Sequence, residues 1–138
     1  MFQKLVTCPT AQEGDILNLT PRLSELVAES GIVNGLCSVF VTGSTAAVTT
    51  TEFEPGVLQD LKRSLAAFAP DDITYAHDAR WGDGNGRSHV KAALLGPSLT
   101  IPVSNKRLSL GTWQQVVLLE LDTRARSDRM IMVTIIGE

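Results

Sequence analysis

The sequence predicts an α+β domain with a largely antiparallel sheet, and three observations predict it. The last third reads as a strand meander, with β-rich runs over 99–103, 107–110, 113–121 and 129–136 separated by short polar turns. The first half holds two stretches whose apolar residues recur at helical spacing. The whole is 138 residues, 43% apolar and 20% charged, enough for one domain with a sizeable core and too apolar for disorder.

Taken in order, residues 2–8 alternate loosely and predict a first strand. Gly14-Asp15 marks a turn, and Ile16 and Leu19 a second short strand. Thr20-Pro21 predicts a helix start with Thr20 as the cap. Leu23, Leu26 and Val27 form the apolar stripe and Gly31 the stop, giving a helix over 21–30. Residues 35–41 and 46–51 are β-branched and apolar, broken at Gly43-Ser44. Glu54-Pro55 opens a second helix, with a stripe of Val57, Leu58, Leu61, Leu65 and Phe68 that ends at Pro70. Residues 90–95 carry one or two helical turns, stopped by Gly96-Pro97. The last polar turn falls over 124–128. No repeat or linker divides the chain, so 1–138 is one domain.

Composition excludes several function classes. A formal charge of −3 and the lack of any Lys/Arg cluster argue against a nucleic-acid partner. Nothing approaches the length of a membrane span, and the N-terminus lacks the pattern of a secretory signal, so a cytoplasmic protein is expected. Cys8 and Cys37 sit in strand-like segments and read as small buried hydrophobes.

Chemistry concentrates between His77 and Lys91, in HDARWGDGNGRSHVK. This stretch holds both histidines of the chain, His77 and His89, and glycines at 82, 84 and 86. It shows neither period and reads as a long polar loop. The two imidazoles suit shared metal or substrate duty, or proton transfer. Arg80, Arg87 and Lys91, with the Ser88 hydroxyl and glycine-freed backbone N–H groups, suit a phosphate. No P-loop or dinucleotide fingerprint is present. Glu120 lies in the apolar run VVLLELD, so it is either an exposed strand position or a buried carboxylate that needs a partner. Thr112-Trp113-Gln114 reads as a core or interface corner, or as the wall of a site.

Several blocks in one order give a further reading: GSTAAVTTTE over 43–52, His77-Asp78, WGDGNGRSHVKAALLGPSLTIPV over 81–103, LGTWQQVVLLELD over 110–122, and the final Gly137-Glu138. Together they resemble the YjbQ-like family, some members of which are described as secondary thiamine-phosphate synthases. The resemblance implies a sheet curled into a half-barrel with two main helices, assembled as a homotrimer with sites near subunit boundaries. It also implies a pocket built from Glu52, His77, Asp83, Asn85, Ser88, His89, Thr112, Trp113, Gln114 and Glu120.

Gly82 and Arg87 stand where members commonly carry further histidines, and Arg87 favours holding phosphate over metal. The catalytic set implied is His77, His89, Asp83 and Glu120. Asn85, Arg87, Ser88, Lys91, Thr112, Trp113, Gln114 and Glu52 would bind a small phosphorylated metabolite. His77 and His89 are candidate ligands of a divalent zinc or magnesium ion. The leading expectation is a thiamine-phosphate-synthase-like transferase. A non-catalytic metabolite- or metal-binding protein and a metal-assisted hydrolase are the alternatives.

Overall fold

A computed structural model of the chain describes residues 1–124 and 128–138. Eight strands and four helices are described: β1 (Phe2–Pro9), β2 (Ile16–Asn18), α1 (Thr20–Ser30), β3 (Gly35–Val41), β4 (Ala46–Thr51), α2 (Pro55–Phe68), α3 (Ala76–Trp81), α4 (Gly86–Leu95), β5 (Ser98–Ser104), β6 (Arg107–Leu108), β7 (Gln115–Glu120) and β8 (Asp128–Gly137). All strand pairings are antiparallel. One sheet runs β1-β8-β3-β5-β6 and a second β2-β7-β4, together a curled half-barrel.

The three-stranded sheet is covered on both faces. Val116 and Leu118 join Val39, Val133 and Ile135 in the main core, into which α1 packs Leu23, Leu26 and Val27. Val117, Leu119 and Leu121 point the other way, into a second core with Ala92 of α4 and with Leu61 and Leu65 of α2. A strand buried on both faces has no reason to alternate, which explains the unbroken run VVLLEL. It also answers the question of Glu120, which is fully buried.

Three expectations are corrected. The segment 77–91 is not a loop: two helices flank a turn at 82–85, so the fold has four helices rather than two main ones. Thr20 is not the cap of α1, because the cap position falls on Leu19 and the Thr20 hydroxyl accepts instead from Val116 N at 2.8 Å. Glu54 opens α2 as expected, and its carboxylate caps the helix by accepting from Gly56 N and Val57 N at 2.8 Å each. The strand expected over 113–121 is shorter, because Trp113 and Gln114 stay in the turn before β7. Cys8 and Cys37 are free and buried. The turn expected over 124–128 falls largely outside the described residues. Among the described residues no helix is long and apolar enough to cross a membrane.

Candidate functional site

Gly86 fixes how α3 meets α4. A Cβ on it would lie 2.5 Å from the Tyr75 Cβ, so only glycine permits the helices to close this tightly. The approach brings Asp78 Oδ1, on the first turn of α3, within 2.8 Å of Gly86 N. Asp83 Oδ1, in the turn, accepts from Asn85 N at 3.0 Å. Two carboxylates thus sit at the N-terminus of α4, where unpaired N–H groups favour negative charge. Gly82, at φ +67°, ends α3 in the left-handed region and lets the chain reverse between them.

His77 faces both acids, with Nδ1 3.2 Å from Asp78 Oδ1 and 3.3 Å from Asp83 Oδ1. The His89 ring, one turn into α4, lies 4.6 Å from the His77 ring between centroids. His89 Nδ1 is 3.2 Å from the Ser44 carbonyl oxygen. A carbonyl only accepts, so Nδ1 of His89 carries the proton and Nε2 is left as acceptor. Burial alone would raise the Asp78 carboxyl, but hydrogen bonds from Gly86 N and His77 outweigh it and hold the group below the usual range. An ionised Asp78 makes His77 Nδ1 the donor in turn. The side chains of His77, Asp78 and Asp83 are 31%, 26% and 30% exposed, so the cluster is reachable from solvent. Beside His89 opens a groove of about 350 Å³ lined by Gly43, Ser44, Ala46, Ala92, Ala93 and Pro97.

Behind the rings lies a buried polar scaffold. Asn85 donates to Asp122 Oδ1 at 3.0 Å and accepts from Ser88 Oγ, Thr123 N and Thr123 Oγ1 at 2.9–3.0 Å. These bonds pin the start of α4 to the end of β7. Glu120 accepts from Arg129 Nε at 2.8 Å and from the Thr10 hydroxyl at 2.7 Å. Arg129 also donates to the Thr45 carbonyl and hydroxyl, and its guanidinium lies so close to Gly43 that a Cβ there would meet Nη1 at 2.8 Å. Desolvation pushes the Glu120 and Asp122 carboxyls up. Arg129 and Thr10 for Glu120, and Arg124, Asn85 and Thr45 for Asp122, prevail and hold both below the usual carboxylate range.

Of the residues singled out in the sequence, the structure brings His77, His89 and Asp83 together, and adds Asp78. Several others sit elsewhere. Glu120 is engaged by Arg129 rather than orienting a histidine. Asn85 and Ser88 are buried scaffold, not pocket wall. Arg87 binds Glu13 through Nε and Nη2 at 2.9 Å each, which raises its pKa and commits that edge of the guanidinium to a carboxylate. Lys91 is buried on another face of α4. Arg80 lies over the exposed Trp81 ring, 5.4 Å from its centroid. Thr112, Trp113, Gln114 and Glu52 are exposed at the far end of β7, where Gln115 pairs with Thr51, whereas Glu120 pairs with Ala46. Five strand steps separate these ends, about 17 Å. Sequence reasoning missed Arg129, although it shares strand parity with the buried Ile131, Val133 and Ile135.

The fold and site define a class: a half-barrel α+β domain with a histidine–aspartate cluster at a helix–turn–helix beside the smaller sheet. Solved structures share that architecture. A YbjQ-like protein of unknown function from Sulfolobus solfataricus is 34% identical with a TM-score of 0.94, over 99% of this chain and 97% of the other. A hypothetical protein from Aeropyrum pernix is 31% identical with a TM-score of 0.89 over 100% of both chains.

The family described as UPF0047 protein YjbQ-like matches residues 4–138, and the chain belongs to it. A UPF0047 protein from Methanothermobacter thermautotrophicus is 37% identical over 94% of this chain and 87% of its own length. The UPF0047 protein YjbQ of Escherichia coli O157:H7 is 32% identical over 99% of both.

Proposed function

We propose that the chain is a metal-dependent cytoplasmic enzyme acting on a small phosphorylated metabolite, with a weak thiamine-phosphate-synthase-like condensation among its activities. The observation that carries this reading is the pair of imidazoles 4.6 Å apart, one of them held by two carboxylates, beside a groove of about 350 Å³.

The donor set fits a cation. His77, Asp78 and Asp83 each offer a ligand atom within 4.8 Å of the others, with His89 alongside. Mixed nitrogen and oxygen donors suit zinc better than magnesium, which prefers oxygen alone. A cation there would sit on the His77 Nδ1 lone pair, with the ring proton carried by Nε2. Bound, it would supply Lewis-acid charge to a phosphoryl oxygen or a departing diphosphate. That charge matters because Arg87 and Lys91 do not face the rings.

The chain's own groups do the rest. Asp78 and Asp83 fix the orientation of His77, the Ser44 carbonyl fixes His89, and His89 Nε2 is free to take or return a proton. The groove beside His89 receives the organic part of the substrate. The same reading takes a homotrimer as the working assembly, because the exposed Thr112-Trp113-Gln114 corner could reach a histidine pair only across a subunit boundary.

The test is a condensation assay with a pyrimidine diphosphate ester and a thiazole phosphate, with and without added zinc. His89→Ala is predicted to lower turnover at least a hundredfold, the scale of general acid–base catalysis, with substrate affinity little changed. Turnover indifferent to both His89→Ala and His77→Ala would overturn the reading. Loss of affinity alone would make the protein a binding module.

A further inference from the structure

A second crevice lies on the opposite side of α4 from the histidines. Ile16, Leu65, Leu119 and Leu121 wall it, and Glu13, Gly14, Asp15, Lys62 and Lys91 supply its polar groups. Its volume is about 120 Å³. Lys91 is 91% buried, lines the crevice, and makes no hydrogen bond or ion pair among the described residues. Asp71 attracts the amine only through space, and the carboxylates that line the crevice, Glu13 and Asp15, are already engaged. Both oxygens of Glu13 accept from Arg87 at 2.9 Å, and Asp15 Oδ2 accepts from Ala11 N and Gln12 N at 2.8 and 3.0 Å. The Lys91 stem is buried while its ammonium opens onto the crevice with no protein acceptor in hydrogen-bond contact, so an entering ligand that brought an acceptor would meet a partly desolvated cation.

The surroundings select among anions. A phosphate wants several converging donors, usually arginine forks or a run of free backbone N–H groups. Here Arg87 is held by Glu13, and Gly14 N donates to the Glu120 carbonyl at 2.8 Å. One ammonium opening onto a leucine-walled crevice suits a singly charged head on an apolar body. Lys62 is exposed at the mouth, its stem beside Gly14. The size bounds the body, since a 150 Å³ apolar cavity holds benzene and this crevice is somewhat smaller, which leaves room for about four or five carbons.

We propose that this crevice between α2, α4 and the β2–β7 pair binds a short-chain monocarboxylate, with the carboxylate on Lys91 Nζ and the hydrocarbon tail against Leu65, Leu119 and Leu121. The site is separate from the histidine pair, because His89 faces Ser44 and the other groove. It does not rest on the enzymatic reading.

Isovalerate titrated into the full chain tests it, followed by amide NMR, with isovaleramide and inorganic phosphate as the comparison ligands. Isovalerate is expected to give saturable shifts at Gly14, Leu65 and Leu119. Isovaleramide, the same shape without charge, should bind at least about tenfold more weakly, the worth of one charge-assisted hydrogen bond. Lys91→Met should cause a similar loss, Lys62→Ala a smaller one, and His77→Ala none. Absence of saturation with isovalerate, equal binding of acid and amide, or preference for phosphate would each overturn the proposal. The acid-to-amide comparison needs only the unmodified protein, so it decides even if Lys91→Met fails to fold.

Discussion

Glu120 and the pair Asp78 and Asp83 are carboxylates with nearby nitrogen partners, yet the fold uses them in opposite ways. Glu120 is fully buried and faces an arginine that is always charged, with a threonine hydroxyl as a further donor. Asp78 and Asp83 are about a quarter to a third exposed and face an imidazole, whose charge is not fixed. The first arrangement is closed, and nothing can enter without breaking it. The second is open, and a cation or proton can enter and leave. Buried charge alone therefore does not mark this site; exposure of an incomplete donor set does.

Breaking the closed cluster should have the largest effect. Arg129→Met leaves Glu120 ionised and unpaired, and is predicted to destabilise the protein by about 3–5 kcal/mol in denaturant titration. Pairing it with Glu120→Leu should recover most of that loss, since the two charges then leave together. A single variant within about 1 kcal/mol of the unmodified protein would show that the pair does not hold the fold. Asn85→Ala comes next. It takes one donor from Asp122 and the acceptor of Ser88 and Thr123 at once, for a loss of about 2–3 kcal/mol.

Acid sharpens the same contrast. The Glu120, Asp122 and Asp78 carboxyls lie below their usual range in the folded protein. The stability they contribute is complete above the unfolded values near pH 4, and is lost as pH falls from there through the folded ones. Unfolding followed from pH 6 to pH 2 should show this decline, and Glu120→Gln should make it shallower. The open cluster should matter least to stability. His77→Ala is predicted to change it by no more than about 1 kcal/mol, because the ring is a third exposed and anchors nothing else. A much larger loss would move His77 into the scaffold.

How much of this was legible depended on which physical signal each residue leaves. The strands and the stripes of α1 and α2 follow from burial on one face, which sequence records directly. Helix α3 and the first half of α4 escaped because α3 buries no residue and α4 hides its early buried positions under glycine, Ser88 and Lys91, whereas the turns over 90–95 were legible. The glycines that read as loop chemistry are a helix stop at Gly82 and a close helix contact at Gly86. Glu120 was legible as a carboxylate in need, and strand parity would have supplied Arg129. The corner of Thr112, Trp113 and Gln114 was grouped with the histidines by resemblance, and only the length of β7 separates them.

The central claim is that His77, Asp78 and Asp83 form a cation site. Zinc titrated calorimetrically into the metal-free protein tests it most directly. The account predicts one ion per chain, and affinity lost in both His77→Ala and Asp83→Asn. Zinc binding unaffected by either substitution, or no binding at all, would contradict it.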